Sequence, residues 1–207
     1  MLSGLTHWIE RRPALHRVAL RLWRLFPPRL AGLLKRFMAR DWIVGAVGVV
    51  LDTSRSPPEV LLIEHSYRRR GAWGLPGGSL EAMPQRPRDA KDTGLPDDVL
   101  ERTMEREVVE ELGIDVTGIH LLRVDAMPFI EEEPGSNRLD FYFVCQPAMG
   151  FEALRRQIDS GAFVARSPEV TSARLVPLSE LERYDLYSPH ARLLRIDLPR
   201  LRPELAA

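Results

Sequence analysis

Residues Arg102–Ile114, "RTMEREVVEELGI", set four glutamates and two arginines around Val108, Val109 and Leu112. Like charges at helical spacing repel by roughly a few tenths of a kcal/mol, so the clustering of Glu107, Glu110 and Glu111 asks for a physical reason. Asp98 can cap a helix here, with Glu101 three residues on to complete a capping box. Pro96 helps set the approach of the chain, and Gly113 stands where a left-handed terminal residue is wanted. The signals predict a helix over Val99–Leu112. At about 100° per residue, with Glu107 at zero, Glu110 falls near −60° and Glu111 near +40°. Met104, Val108 and Leu112 fall near +60°, +100° and +140°, an apolar stripe beside the acidic arc. Arg106 flanks the other side and stands four residues before Glu110.

A solvated acidic face would lie opposite the buried stripe with its signs mixed. This one borders the core, where unpaired charge costs more. Hard divalent cations with oxygen ligands, Mg²⁺ or Mn²⁺, are the natural partner, and Arg106 can hold a carboxylate from behind. Taken alone, the segment also reads as an ordinary solvated Glu/Arg helix.

Upstream, "WIVGAVGVVL" (42–51) is too continuously apolar for a half-exposed strand and predicts one buried on both faces. "TSRSPPE" is a turn and "VLLIE" (60–64) a second strand. "HSYRRRGAWGLPGGSLE" then reads as a glycine-rich loop, in which Gly77 and Gly78 let backbone approach a ligand and can aim N–H groups at phosphate oxygens. Downstream, "IHLLRVDAM", "RLDFYFVCQ" and "TSARLVPL" predict three more strands, with a short helix over "FEALRRQIDSG" and a partly helical chain from Leu178 onward. Loop and helix together make a phosphate cradle facing a cation site.

"GG" at 77–78 followed by "REVVEELGI" at 106–114 closely resembles the box of the Nudix hydrolase family, G-x5-E-x7-R-E-U-x-E-E-x-G-U with U a bulky aliphatic residue. Arg106, Glu107, Val108, Glu110, Glu111, Gly113 and Ile114 meet every position of its second half. "WGLPGGSLE" is similar to the family's lead-in, and the strand order to Glu182 is similar to its α/β/α sandwich with a mixed sheet. The family's first glutamate falls on Asp98, a shorter acid, because about fourteen residues are inserted between loop and helix. The insert at 83–96 carries Arg86, Arg88 and Lys91 and reads equally as a lid or as a tolerated surface excursion.

The resemblance implies metal-dependent hydrolysis of a nucleoside diphosphate linked to another moiety: an NDP-sugar, an ADP-ribose-like compound or a modified nucleoside triphosphate. It implies Glu107, Glu110 and Glu111 as Mg²⁺ or Mn²⁺ ligands, with Arg106 orienting them and Gly77 and Gly78 admitting substrate. Trp73, Tyr67 and Tyr142 offer rings for a base, and Arg68–Arg70 charge for a phosphate or ribose; ordinary packing is the competing reading. A nucleotide-binding regulatory domain without catalysis is the rival function, although such domains usually lose box glutamates. No nucleic-acid partner is expected.

Residues 1–41 lie outside the resemblance. They predict a helical extension, with Leu15, Val18, Leu22, Leu25 and Phe26 and then Leu30, Leu33, Leu34, Phe37 and Met38 at helical spacing, interrupted by Pro27 and Pro28. The formal net charge of +0 conceals an asymmetry: residues 1–40 hold nine basic residues against one acid, leaving 20 against 28 elsewhere. Such an arm fits packing on the acidic body or on a second subunit in a homodimer; an amphipathic surface for anionic lipid, serving a lipid-linked diphosphate substrate, is the less favoured alternative. The expected organisation is an extension at 1–41 and a Nudix hydrolase domain at 42–207. With 44% hydrophobic and 28% charged residues the chain has the composition of a globular protein. The lone Cys145, inside an apolar run, excludes an internal disulfide and reads as a buried structural thiol. No secretory signal or membrane span is read, so a cytoplasmic location is expected.

Overall fold

The computed structural model describes residues 43–68, 72–80, 99–127, 130 and 137–205, with isolated residues 12, 14, 15, 18 and 27. Apart from those isolated residues, the predicted N-terminal helical extension lies outside the described residues, as do the insert at 83–96 and the Asp98 cap.

Strand β1 (Ile43–Asp52) is the spine. It runs parallel to β6 (Arg138–Pro147), from Ile43↔Arg138 to Val50↔Cys145, and β5 (Val116–Met127) adds antiparallel to β6. On its other side β1 takes β4 (Gly77–Ser79), through Val47↔Gly77 and Ala46↔Gly78, and at its far end β2 (Glu59–His65). β2 in turn carries β7 (Val170–Pro177) and β3 (Ala72–Gly74), and β3 pairs with β8 (Asp185–Leu186). Among the described residues the result is an eight-stranded mixed sheet.

Alternation along these strands feeds two cores, as a period-2 pattern must when both faces are covered. Ala46, Val50, Leu61, Ile63, Phe143 and Cys145 face helix α1 (Val99–Leu112) and helix α2 (Phe151–Asp159), meeting Met104, Val108, Leu112 and Leu154. Val47, Val49, Leu51, Val60, Leu62 and Tyr142 face the other way. There they meet a 3₁₀ turn (Leu178–Arg183), α3 (Ser188–Arg192), a π-helical turn (Leu193–Asp197) and α4 (Leu198–Leu201), through Leu181, Leu193, Leu194 and Leu198. Burying each such aliphatic side chain contributes about 1.5–3 kcal/mol. Within 42–207, the helices predicted over Val99–Leu112 and "FEALRRQIDSG" and all five predicted strands are present. The stretch read as a glycine-rich loop is different: two short strands, β3 and β4, occupy it, because sheet neighbours supply hydrogen bonds that local sequence cannot announce. Cys145 is fully buried and its thiol pKa is pushed up to about 12 by burial. Among the described residues no helix is long and apolar enough to cross a membrane.

Candidate active site

Helix α1 lies across β1 and β4 and ends at Gly113, which has φ +70 and donates its N–H to the Val109 carbonyl at 2.9 Å. Its apolar stripe is buried, and this sets the depth of each neighbouring carboxylate. Glu111, nearest the stripe, is 2% exposed; the side chains of Glu107 and Glu110 are 14% and 58% exposed.

Two glycines of β4 receive these acids. Gly77 has φ +147, and a Cβ there would lie 2.4 Å from the Ala46 carbonyl oxygen. Its N–H donates to Glu111 Oε2 at 2.9 Å. At Gly78 a Cβ would lie 2.2 Å from the Glu107 carboxylate carbon, so the missing side chain is the space the carboxylate fills. Arg106 donates to Glu107 Oε1 at 2.6 Å and to Glu110 Oε2 at 2.8 Å, gathering two acids with one guanidinium.

Electrostatics mark this place as desolvated. Burial pushes the Glu111 carboxyl well above its ordinary range; the Gly77 N–H opposes this, while Glu107 and Glu169 add to it. Glu107 is raised to about 7, again mainly by burial, against Arg106 and with Glu110 and Glu169 contributing. Glu169 is the acid that sequence reading missed. It sits just before β7, its carbonyl accepting the Ser66 N–H at 2.6 Å. The backbone N–H groups of Arg166 and Ser167 donate to the Glu111 carbonyl, tying this turn to the end of α1. A single acid in "RSPEV" ahead of an apolar strand is the only sequence signal for it.

The other expected substrate contacts stand as follows. Arg68 lies over the Tyr187 ring, its guanidinium carbon 3.5 Å from the centroid, close enough for its charge to reach Glu111. Trp73 packs against the core opposite α1, edge-on to Tyr184 at 5.5 Å with Arg174 above it at 5.4 Å. Tyr67 lies beside His65, and Tyr142 is a fully buried core ring. Arg69 and Arg70 lie outside the described residues.

As oriented here, no three His, Cys, Asp or Glu side chains among the described residues converge closely enough to hold a metal ion; Glu107 and Glu110 turn to Arg106, and Glu111 to Gly77. The donor set nonetheless fits an oxygen-loving divalent cation. Glu107 and Glu111 are desolvated acids of like charge, one seated in a cradle open only because residue 78 is glycine.

One consequence is measurable on the metal-free protein. A carboxyl whose folded pKa is raised contributes stability below its ordinary value of 4.5 and loses it as pH climbs through about 7. Relative to Glu107→Gln, the wild type is expected to lose about 3 kcal/mol between pH 4 and 8, read by denaturant titration. Parallel pH profiles for the two proteins would contradict the burial of Glu107.

A mixed-sheet α/β/α sandwich with a glutamate-rich helix under a glycine strand defines a protein with a carboxylate-centred site. The NUDIX domain model matches residues 42–195, and the chain belongs to that family. No curated protein matches the chain. Among solved structures it is similar to the NUDIX domain of Shewanella oneidensis NrtR complexed with ADP ribose, at 18% identity and TM-score 0.52 over 77% of this chain and 88% of that one. It is similar to S. oneidensis NrtR complexed with a 27mer DNA, at 20% identity and TM-score 0.53 over 78% and 63%. The E. coli ORF135 protein gives 17% identity and TM-score 0.50 over 79% and 94%. These likenesses are of fold.

Proposed function

We propose that this chain is a divalent-metal-dependent pyrophosphohydrolase that cleaves a nucleoside diphosphate linked to another moiety. The observation that carries the reading is the pair of buried acids, Glu107 and Glu111, seated against Gly78 and Gly77 and desolvated there. Glu107, Glu110 and Glu111, with Glu169 beside them, would hold Mg²⁺ or Mn²⁺. When bound, the ion neutralises charge on the pyrophosphate oxygens and lowers the pKa of water. Arg106 keeps Glu107 and Glu110 on one side of the helix. Gly77 and Gly78 let the backbone approach a phosphate, and a glutamate of the cluster accepts the proton of the attacking water. Among the described residues, Arg68 brings positive charge to bear on Glu111.

A second reading is a nucleotide-sensing domain without turnover, with residues 1–41 as an appended segment. What favours it is the hold of Arg106 on Glu107 and Glu110, together with Asp98 where the family motif has glutamate. The S. oneidensis NrtR domain solved with ADP ribose makes that compound a natural probe, and NrtR complexed with a 27mer DNA adds DNA as a second.

The deciding experiment is a panel of ADP-ribose, NDP-sugars, dinucleotides and oxidised nucleoside triphosphates with Mg²⁺, detecting released phosphate or nucleoside monophosphate. Turnover that vanishes in excess chelator is the expected outcome. Micromolar binding of a panel member without turnover would replace the enzyme by the sensor.

A further inference from the structure

The glycine strand that receives the carboxylates must itself be held in place, and one of its anchors comes from the far end of the chain. Leu75 lies between β3 and β4, fully buried, and its N–H needs an acceptor. His190 of α3 supplies it: Nδ1 accepts the Leu75 N–H at 3.0 Å across 115 residues of sequence. The next groups along are also fixed. The Pro76 carbonyl accepts the Gly48 N–H at 2.8 Å, and Gly77 N–H reaches Glu111 at 2.9 Å. Three consecutive residues are thus clamped by a histidine, a strand and a site carboxylate.

We propose that His190 is a positioning residue for the carboxylate site, holding Leu75 so that Gly77 presents its N–H to Glu111. The inference rests on the hydrolase reading for its kinetic consequence, but its structural part stands apart from it. The acceptor role requires Nδ1 to be unprotonated. Burial keeps the ring neutral by lowering its pKa, and Arg68, His65 and Arg138 act in the same direction. The ring is wedged edge-on between Tyr187 at 5.1 Å and Tyr142 at 6.2 Å, so it cannot turn away freely. The segment carrying it is tied to β3 by the Tyr187 N–H, which donates to the Trp73 carbonyl at 2.9 Å. Close approach of ring and strand depends on residue 74 being glycine, since a Cβ there would lie 2.8 Å from His190 Nδ1.

The test uses the full chain with two substitutions. His190→Leu fills similar space with no acceptor, and His190→Asn restores an oxygen near the Nδ1 position. Amide exchange at Leu75 and Gly77 is read by NMR without metal or substrate. His190→Leu is expected to exchange at least about tenfold faster at both positions, and His190→Asn close to wild type. With an active panel substrate and Mg²⁺, His190→Leu should lower kcat by about 10–100-fold with little change in KM, the scale on which outer residues act on a metal site. His190→Asn should recover most of that loss. If nothing in the panel is turned over, the hydrolase reading fails and amide exchange alone decides the positioning role. Unchanged exchange at Gly77 in a folded His190→Leu protein overturns the proposal, as does a kinetic defect that asparagine does not rescue.

Discussion

Glu111→Gln is expected to lower metal-dependent hydrolysis by about 10²–10⁴-fold, the range in which a positioned acid–base group acts, without weakening the fold. The two halves of that expectation have separate causes. Glu111 is almost wholly buried, and burial raises its carboxyl well above the ordinary range, so its charge is a cost to the metal-free protein. Glutamine keeps an oxygen to accept the Gly77 N–H and removes that charge along with its repulsion from Glu107 and Glu169. The melting temperature should therefore hold or rise, by roughly 2–4 °C for each kcal/mol relieved. What glutamine cannot supply is a negative oxygen for a divalent ion. Calorimetric melts alongside steady-state kinetics check both halves. Wild-type turnover in this variant would sink the assignment of Glu111 to the site, and a collapse in stability would show that its role is structural.

Gly78→Ala should cut turnover by about 10²-fold while leaving a folded protein. A Cβ at this position would stand 2.2 Å from the Glu107 carboxylate carbon and 2.4 Å from Oε2, distances no contact tolerates. The obstructing atoms belong to the free end of a side chain, so relief is simple: Glu107 swings outward. In doing so it enters solvent, and its carboxyl should fall from about 7 toward the ordinary carboxylate value. A side-chain carboxyl titration by NMR reads this directly. The neighbouring Gly77→Ala behaves otherwise. There the obstruction is backbone, the Ala46 carbonyl oxygen at 2.4 Å, and φ of +147 is itself strained for an L side chain, so stability should drop by about 1–3 kcal/mol. Full activity in Gly78→Ala with Glu107 still at about 7 would remove the cradle from the mechanism.

Much of this site was legible in residues 98–114, because helical periodicity is a local property. The angular order of the acids relative to Met104, Val108 and Leu112 already ranks their depth: Glu111 lies toward the stripe and Glu110 away from it, and their burial follows that order. The second half of the family box gave the class of fold for the same reason, since it is one helix with its cap. Spacing could not say what the helix faces. Glu169 comes near Glu107 and Glu111, and His190 reaches Leu75, only because β7 adds to β2 and α3 returns over β3, contacts between segments with no shared periodicity. Nor could the pattern distinguish a glycine loop from a strand: Gly77 and Gly78 become β4 when Val47 and Ala46 offer their backbone groups. By itself the sequence determined which residues share a helix face and that the strand at 42–51 is buried on both sides. Tertiary structure alone decided which carboxylate is desolvated by which glycine, because desolvation depends on every neighbour and periodicity on none of them.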